Sequence, residues 1–196
     1  MRLLLASRNP HKAREFGALL EGVEVVALPD GVQLPPETGD TFEANALPKA
    51  RAAARATGRL AFADDSGIEA AALGGAPGVR SARFAGAGAS DADNLARLVA
   101  EAPAGSALAY VCVIALVDPH TGEERTFEGR CSGTMAPQPR GSGGFGYDPV
   151  FIPDDRDDGR TMAELSQAEK DAISHRGRAA RAMLEHLRPA GVGVAP

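Results

Sequence analysis

The sequence predicts an α/β fold, a mixed, twisted sheet with flanking helices and a central cleft, and three observations predict it. Apolar runs of strand length alternate with segments of helical period along the whole chain. One pair of runs, Ala107–Val117 and Thr126–Met135, is joined by the turn Asp118-Pro119-His120-Thr121-Gly122 and reads as a hairpin, which makes the sheet mixed rather than all parallel. No internal repeat and no long linker divides the 196 residues, so a single domain over 1–196 is expected.

Leu3–Ala6 reads as a buried first strand. Arg8, His11, Lys12 and Arg14 follow too closely for a secretory leader, and a cytoplasmic protein is expected. After the polar turn Ser7–His11, residues 12–20 place Phe16, Leu19 and Leu20 on one helical face. Val23–Leu28 is a second strand, and the proline-rich 29–40 a loop. A helix is expected over about 41–57, capped by Asp40 or Thr41, with Glu43 in the capping-box position after Asp40 and a kink at Pro48. Leu60–Ala63 reads as a strand that ends at the acidic stretch Asp64-Asp65-Ser66-Gly67. Residues 68–73 form a short strand or turn, and 74–89 a loop. Asp91 opens a helix to about Ala102. Beyond the hairpin, the glycine-rich loop 141–146 leads into a strand at Tyr147–Ile152. An acidic, mobile loop follows at 153–160, and Thr161-Met162-Ala163-Glu164 is a capping box. The last helical stretch breaks at Ser174, giving helices over about 161–170 and 174–188.

Composition narrows the function. A net charge of −5 argues against a nucleic-acid surface, and no apolar run approaches the roughly 18 residues that would cross a bilayer. Cys112 and Cys131 lack ligand spacing and read as reduced core thiols. Of 21 basic residues only Lys12, Lys49 and Lys170 are lysine, so a compact ammonium stands out where it occurs.

Four polar constellations remain. Ser7-Arg8-Asn9-Pro10-His11-Lys12 sits between strand and helix, where free N–H groups and the positive helix end suit an anion. It lacks the glycine spacing of the known phosphate loops, so taken alone it is an ordinary turn. Asp64-Asp65 places two carboxylates after an apolar strand; alternation lets only one face a given cleft, and oxygen-only ligands suit Mg²⁺. The stretch 141–149 joins glycines to Phe145 and Tyr147 in a chain that is only 5% aromatic, which tilts a hairpin tip toward binding a flat ring. Lys170 and His175 lie roughly 140° apart on one straight helix, so they reach one ligand together with Arg176 only if the helix breaks at Ser174.

Five stretches in order, ASRNPHKAREF at 6–16, TGDTFEANALPKA at 38–50, ADDSGIEAAALGGAPGVRSARFAG at 63–86, GFGYDPVF at 144–151 and AELSQAEKDAISHRGRA at 163–179, resemble the noncanonical purine nucleoside-triphosphate pyrophosphatase family. The resemblance implies an elongated α/β homodimer that uses Mg²⁺ to hydrolyse dITP, ITP, XTP and dXTP to the monophosphate and pyrophosphate. It implies that Ser7, Arg8, Asn9, Pro10, His11 and Lys12 hold the phosphates. Asp65 would be catalytic and a metal ligand, and Ser66 would contact substrate. Phe145, Gly146, Tyr147 and Asp148, with Lys170, His175 and Arg176, would meet the base. Relatives often carry an extra acid before the position of Glu37, where this chain has Pro36, so Glu37 is expected as the second metal ligand. Two rivals stand beside this reading: a pyrophosphatase for modified pyrimidine or methylated nucleotides, and a regulatory nucleotide binder without turnover. The paired acids argue against the second, since an anion site gains nothing from added negative charge unless a metal intervenes.

Overall fold

The computed structural model describes residues 1–188. Its elements in order are β1 (Arg2–Leu5), α1 (Pro10–Leu19), β2 (Glu24–Val26), α2 (Phe42–Thr57), β3 (Ala61–Ala70), α3 (Asp91–Glu101), β4 (Ala107–Val117), β5 (Glu124–Met135), β6 (Phe151–Pro153), α4 (Gln167–Ile173) and α5 (His175–Leu187). The strands form one six-stranded sheet, β2-β1-β3-β4-β5-β6. β1 runs parallel to β2 and β3, and β3 to β6 are antiparallel.

Period-two alternation along the strands sorts the core onto two faces. Leu3, Leu5, Phe62 and Ile114 pack with Phe16 of α1 and Ala179 and Met183 of α5. Leu4, Ala6, Ala61 and Ala63 pack against Ala46, Ala50 and Ala53 of α2, small residues that let helix and sheet approach closely. A further cluster, with Ile68, Leu98, Tyr110 and Phe151, fills the far end of the sheet.

Local signals explain the helix starts. Asn9 caps α1 by accepting from His11 N, and Pro10 takes the first helical position, where its missing N–H costs nothing. Thr41 caps α2 through Ala44 N. Glu43 therefore sits in the first turn as an acid and closes no capping box. α2 runs as one element through Pro48 and ends at Gly58, which is left-handed at φ 63°. The box at Thr161 caps only a 3₁₀ turn, Met162–Glu164; a second box, Ser166 with Glu169, starts α4. Ser174 ends α4 and caps α5 through Gly177 N, as the sequence requires.

Two expectations are corrected. The strand at Leu60–Ala63 does not end at the acids: β3 continues to Ala70, with Asp64 and Asp65 paired opposite Ile114 and Val113. A strand can carry them inward because cations meet the first and an amide meets the second, as described below. The strand expected at Tyr147–Ile152 begins only at Phe151, because Asp148–Val150, with Pro149 inside it, forms a 3₁₀ turn; in the acidic loop after β6, Arg156 and Arg160 bridge Asp158 to Glu169.

Candidate active site

The cleft exists because β1 is short. β1 pairs with β3 only at Ala61 and Phe62, so the rest of that β3 edge has no strand beside it. On that edge the carbonyl of Asp64 would be an orphan. Two lysines satisfy it: Lys12 Nζ of α1 donates at 3.3 Å and Lys49 Nζ of α2 at 2.7 Å. A cleft of about 1030 Å³ opens over this edge, lined by the β1–α1 turn, β3, the glycine loop and the α4–α5 junction, and its size suits a nucleotide-sized ligand.

Asp64 and Asp65 point to opposite faces, as alternation demands. Asp64 is 1% exposed and lies beneath the cleft floor. Lys12 Nζ stands 2.9 Å from its Oδ1, outside hydrogen-bond alignment, and Arg176 Nε lies 3.6 Å from Oδ2. Burial pushes its carboxyl up, but Lys12, Arg176 and Lys49 together outweigh burial and hold it at about 2. Asp65 lines the cleft. Its Oδ2 accepts from Asn45 Nδ2 at 2.9 Å and its Oδ1 from Ser66 N at 3.0 Å. Burial raises its pKa, Asn45 and Lys49 oppose that, and Glu37 adds to it, leaving the group above the usual carboxylate range. Glu37 itself is ion-paired with Lys49.

At the α1 end, Ser7 and Asn9 hold the turn: Ser7 Oγ accepts from Asn9 N and Asn9 Oδ1 from His11 N. Arg8 turns aside, donating to the carbonyls of Pro29 and Val32. Pro10 is the first residue of α1 and lies outside the cleft lining. His11 sits 5.8 Å from the ring of Phe145, so the turn and the glycine loop meet across the cleft mouth.

At the other end Asp148 is a hub. Its Oδ1 accepts from Tyr110 Oη at 3.0 Å, and its Oδ2 from Lys170 Nζ at 2.6 Å and Phe145 N at 2.9 Å. This needs glycine at 144, which is left-handed at φ 70° and where a Cβ would lie 2.0 Å from Asp148 Oδ2. Gly146 N donates to Asp91, and Tyr147 Oη to the carbonyl of Ser81. Phe145 is 39% exposed, with its ring over Lys170 Nζ at 4.9 Å. His175 stacks on Tyr110 with ring centroids 4.7 Å apart. Burial, then Arg176 and Lys170, hold its pKa well below normal, so it is neutral. Arg176 donates to Ser66 Oγ at 3.0 Å and pairs with Glu15. The helix break thus brings Lys170, His175 and Arg176 to one cleft, as the sequence predicts.

Sequence reasoning missed Glu15, Asn45 and Tyr110, and gave no site role to Lys49 or Asp64. Lys49 carried a signal in being one of three lysines. Glu15 and Tyr110 carry none, since nothing local tells a helix acid or a strand tyrosine that it faces a cleft.

Among the described residues no group of three or more His, Cys, Asp or Glu is placed to hold a metal ion. Asp65 and Glu37 are two oxygen donors on separate elements. That set fits a hard cation that keeps most of its shell as water and ligand oxygens, and does not fit a closed protein cage.

Fold and cleft together define an α/β protein whose cleft sets lysine and arginine side chains beside a carboxylate. The chain belongs to the Ham1 family, whose profile matches residues 3–186. It is 50% identical to a dITP/XTP pyrophosphatase of Mycobacterium tuberculosis, over 98% of each chain. It is 52% identical to one from Symbiobacterium thermophilum, over 95% of this chain and 94% of that one. A HAM1 protein from Coxiella burnetii superposes with a TM-score of 0.87 at 39% identity, covering 97% of this chain and 100% of the other.

Proposed function

We propose that this chain is a Mg²⁺-dependent nucleoside-triphosphate pyrophosphatase that hydrolyses noncanonical purine nucleotides (dITP, ITP, XTP and dXTP) to the monophosphate and pyrophosphate, and so cleanses the nucleotide pool. The observation that carries the reading is the single cleft in which a lysine-bearing helix start, the half-satisfied Asp65 and the Asp148–Lys170–Arg176 cluster converge. The named activity of relatives half identical over nearly the whole chain supports it.

In this reading the turn Ser7–Lys12 holds the triphosphate. Lys12 and the start of α1 supply positive potential, and Arg8 holds the neighbouring loop in place. Asp65 and Glu37 would hold Mg²⁺, which supplies charge neutralisation for the phosphate oxygens. Asp65 orients the attacking water and takes its proton; a carboxylate raised by burial is the better base for this. The water oxygen bonds to phosphorus, the α–β bridge breaks, and pyrophosphate leaves with the bridging electrons. Lys12 stays near enough to balance the charge that builds there. Phe145 offers a face for the base, and the neutral His175 with Lys170 and Arg176 reads its edge. Ser66, held by Arg176, meets the substrate between the two ends.

The reading extends to a cytoplasmic homodimer. No helix among the described residues is long and apolar enough to cross a membrane, and both cysteines are free thiols. Light scattering should give twice the mass of the chain. The test of specificity is a base panel: with Mg²⁺, dITP and XTP should release pyrophosphate far faster than dGTP, dATP and dCTP. A preference for dCTP would point to a pyrimidine enzyme. Retention of intact dITP without turnover would point to a regulatory binder.

A further inference from the structure

Asn45 lies on α2, is 3% exposed, and makes three hydrogen bonds with its side-chain amide. Oδ1 accepts from Gly39 N at 2.7 Å, while Nδ2 donates to Gly39 O at 3.4 Å and to Asp65 Oδ2 at 2.9 Å. The amide orientation is therefore fixed by its surroundings: the oxygen must face the Gly39 N–H, so the NH₂ must face the carboxylate. Gly39 is fitted to this contact, since a Cβ there would lie 2.9 Å from Asn45 Oδ1 and 2.7 Å from Ala44 Cβ. Gly39 also stands two residues beyond Glu37, at the end of the segment that carries this second acid to the cleft. One side chain therefore grips both the segment bearing Glu37 and the carboxylate of Asp65.

We propose that Asn45 is a positioning residue that assembles the two-carboxylate cation seat, locking Asp65 and the Glu37 segment into register before any ligand arrives. This rests on the reading of Asp65 and Glu37 as the metal-holding pair. Like charges do not approach one another unaided, and two devices meet them: Lys49 pairs with Glu37, and Asn45 and the Ser66 N–H each donate to one oxygen of Asp65, which leaves each oxygen further acceptor capacity. Asn45 touches neither nucleotide nor cation. It acts through what it orients, as groups behind metal ligands do.

The test measures binding rather than turnover. Mn²⁺ is titrated by electron paramagnetic resonance into the full chain bearing dITP with an α,β-imido bridge; the same nucleotide is titrated by calorimetry in EDTA. Asn45→Ala should weaken Mn²⁺ binding by roughly 10- to 100-fold, the usual effect of losing a group that holds a ligand, while metal-free nucleotide affinity stays within about twofold. Gly39→Ala attacks the same amide from the other side and should give the same split, so the result does not hang on the folding of one variant. Mn²⁺ affinity within about twofold of wild type in both variants, or an equal loss of metal and nucleotide binding, would overturn the proposal. A wild-type chain that binds no Mn²⁺ at all would overturn the metal reading itself, and this inference with it.

Discussion

The two ends of the cleft are built on different plans. At the α1 end the cationic groups are held by exchangeable partners. Lys12 rests near Asp64 Oδ1 out of hydrogen-bond line, Lys49 is shared between Glu37 and a backbone carbonyl, and Asp65 has acceptor capacity to spare. At the Asp148 end the groups are wired together before any ligand arrives: both Asp148 oxygens are filled, His175 is clamped by stacking, and Tyr147 is anchored to Ser81. The first end can trade a protein partner for a phosphate or a cation. On the proposed reading the second would accept only a ring of the right shape and edge. The difference suits a protein that must grip any triphosphate but choose among bases.

Substitutions can break this contrast, and the largest effect falls on the exchangeable end. Asp65→Asn should lower kcat at least about 10²-fold and cost only about 1 kcal/mol of stability, since the amide oxygen can accept from Asn45 or from Ser66 N but not from both; stopped pyrophosphate assays with a urea melt of the same sample check both halves. Its neighbour should behave in the opposite way. Asp64→Leu leaves Lys12 and Arg176 facing a buried apolar side chain and should cost about 3–5 kcal/mol of unfolding free energy. The sign with pH follows from its pKa of about 2: its stabilisation is present above the unfolded carboxylate value and is lost as pH falls toward 2. Wild type and variant should therefore converge in stability in strong acid.

Much of the exchangeable end was legible in the sequence, because it is local. Ser7–Lys12 is one strand–turn–helix corner. The Ser174 break, at the opposite end, was legible for the same reason, since it follows from a cap residue and the angle between Lys170 and His175. The wired end was only half legible. Gly144 and Phe145 announced a loop, but Tyr110 is a strand residue whose partner Asp148 lies far along the chain, and no periodicity encodes that meeting. The acidic pair was misplaced at a strand end because two buried carboxylates read as costly. What offsets the cost, Lys12, Lys49, Arg176 and Asn45, comes from three other elements and is visible only after folding.

Smaller effects sharpen the same contrast. Gly144→Ala forces a left-handed residue and drives a methyl into Asp148; it should raise KM for dITP several-fold and narrow the gap between dITP and dATP while changing kcat little. Arg8→Ala should raise KM less than about tenfold, because it loosens a loop rather than removing a phosphate ligand; it should cost on the order of 1 kcal/mol in a thermal melt. Arg51→Ala breaks a surface pair with Glu124 outside the cleft lining and should change stability by less than about 1 kcal/mol and activity not at all.

The most direct measurement follows the products of dITP with Mg²⁺ by phosphorus NMR. The account predicts dIMP and pyrophosphate in equal amounts, no orthophosphate, and no reaction in EDTA. Release of orthophosphate with dIDP, or dITP that stays bound and whole, would contradict it.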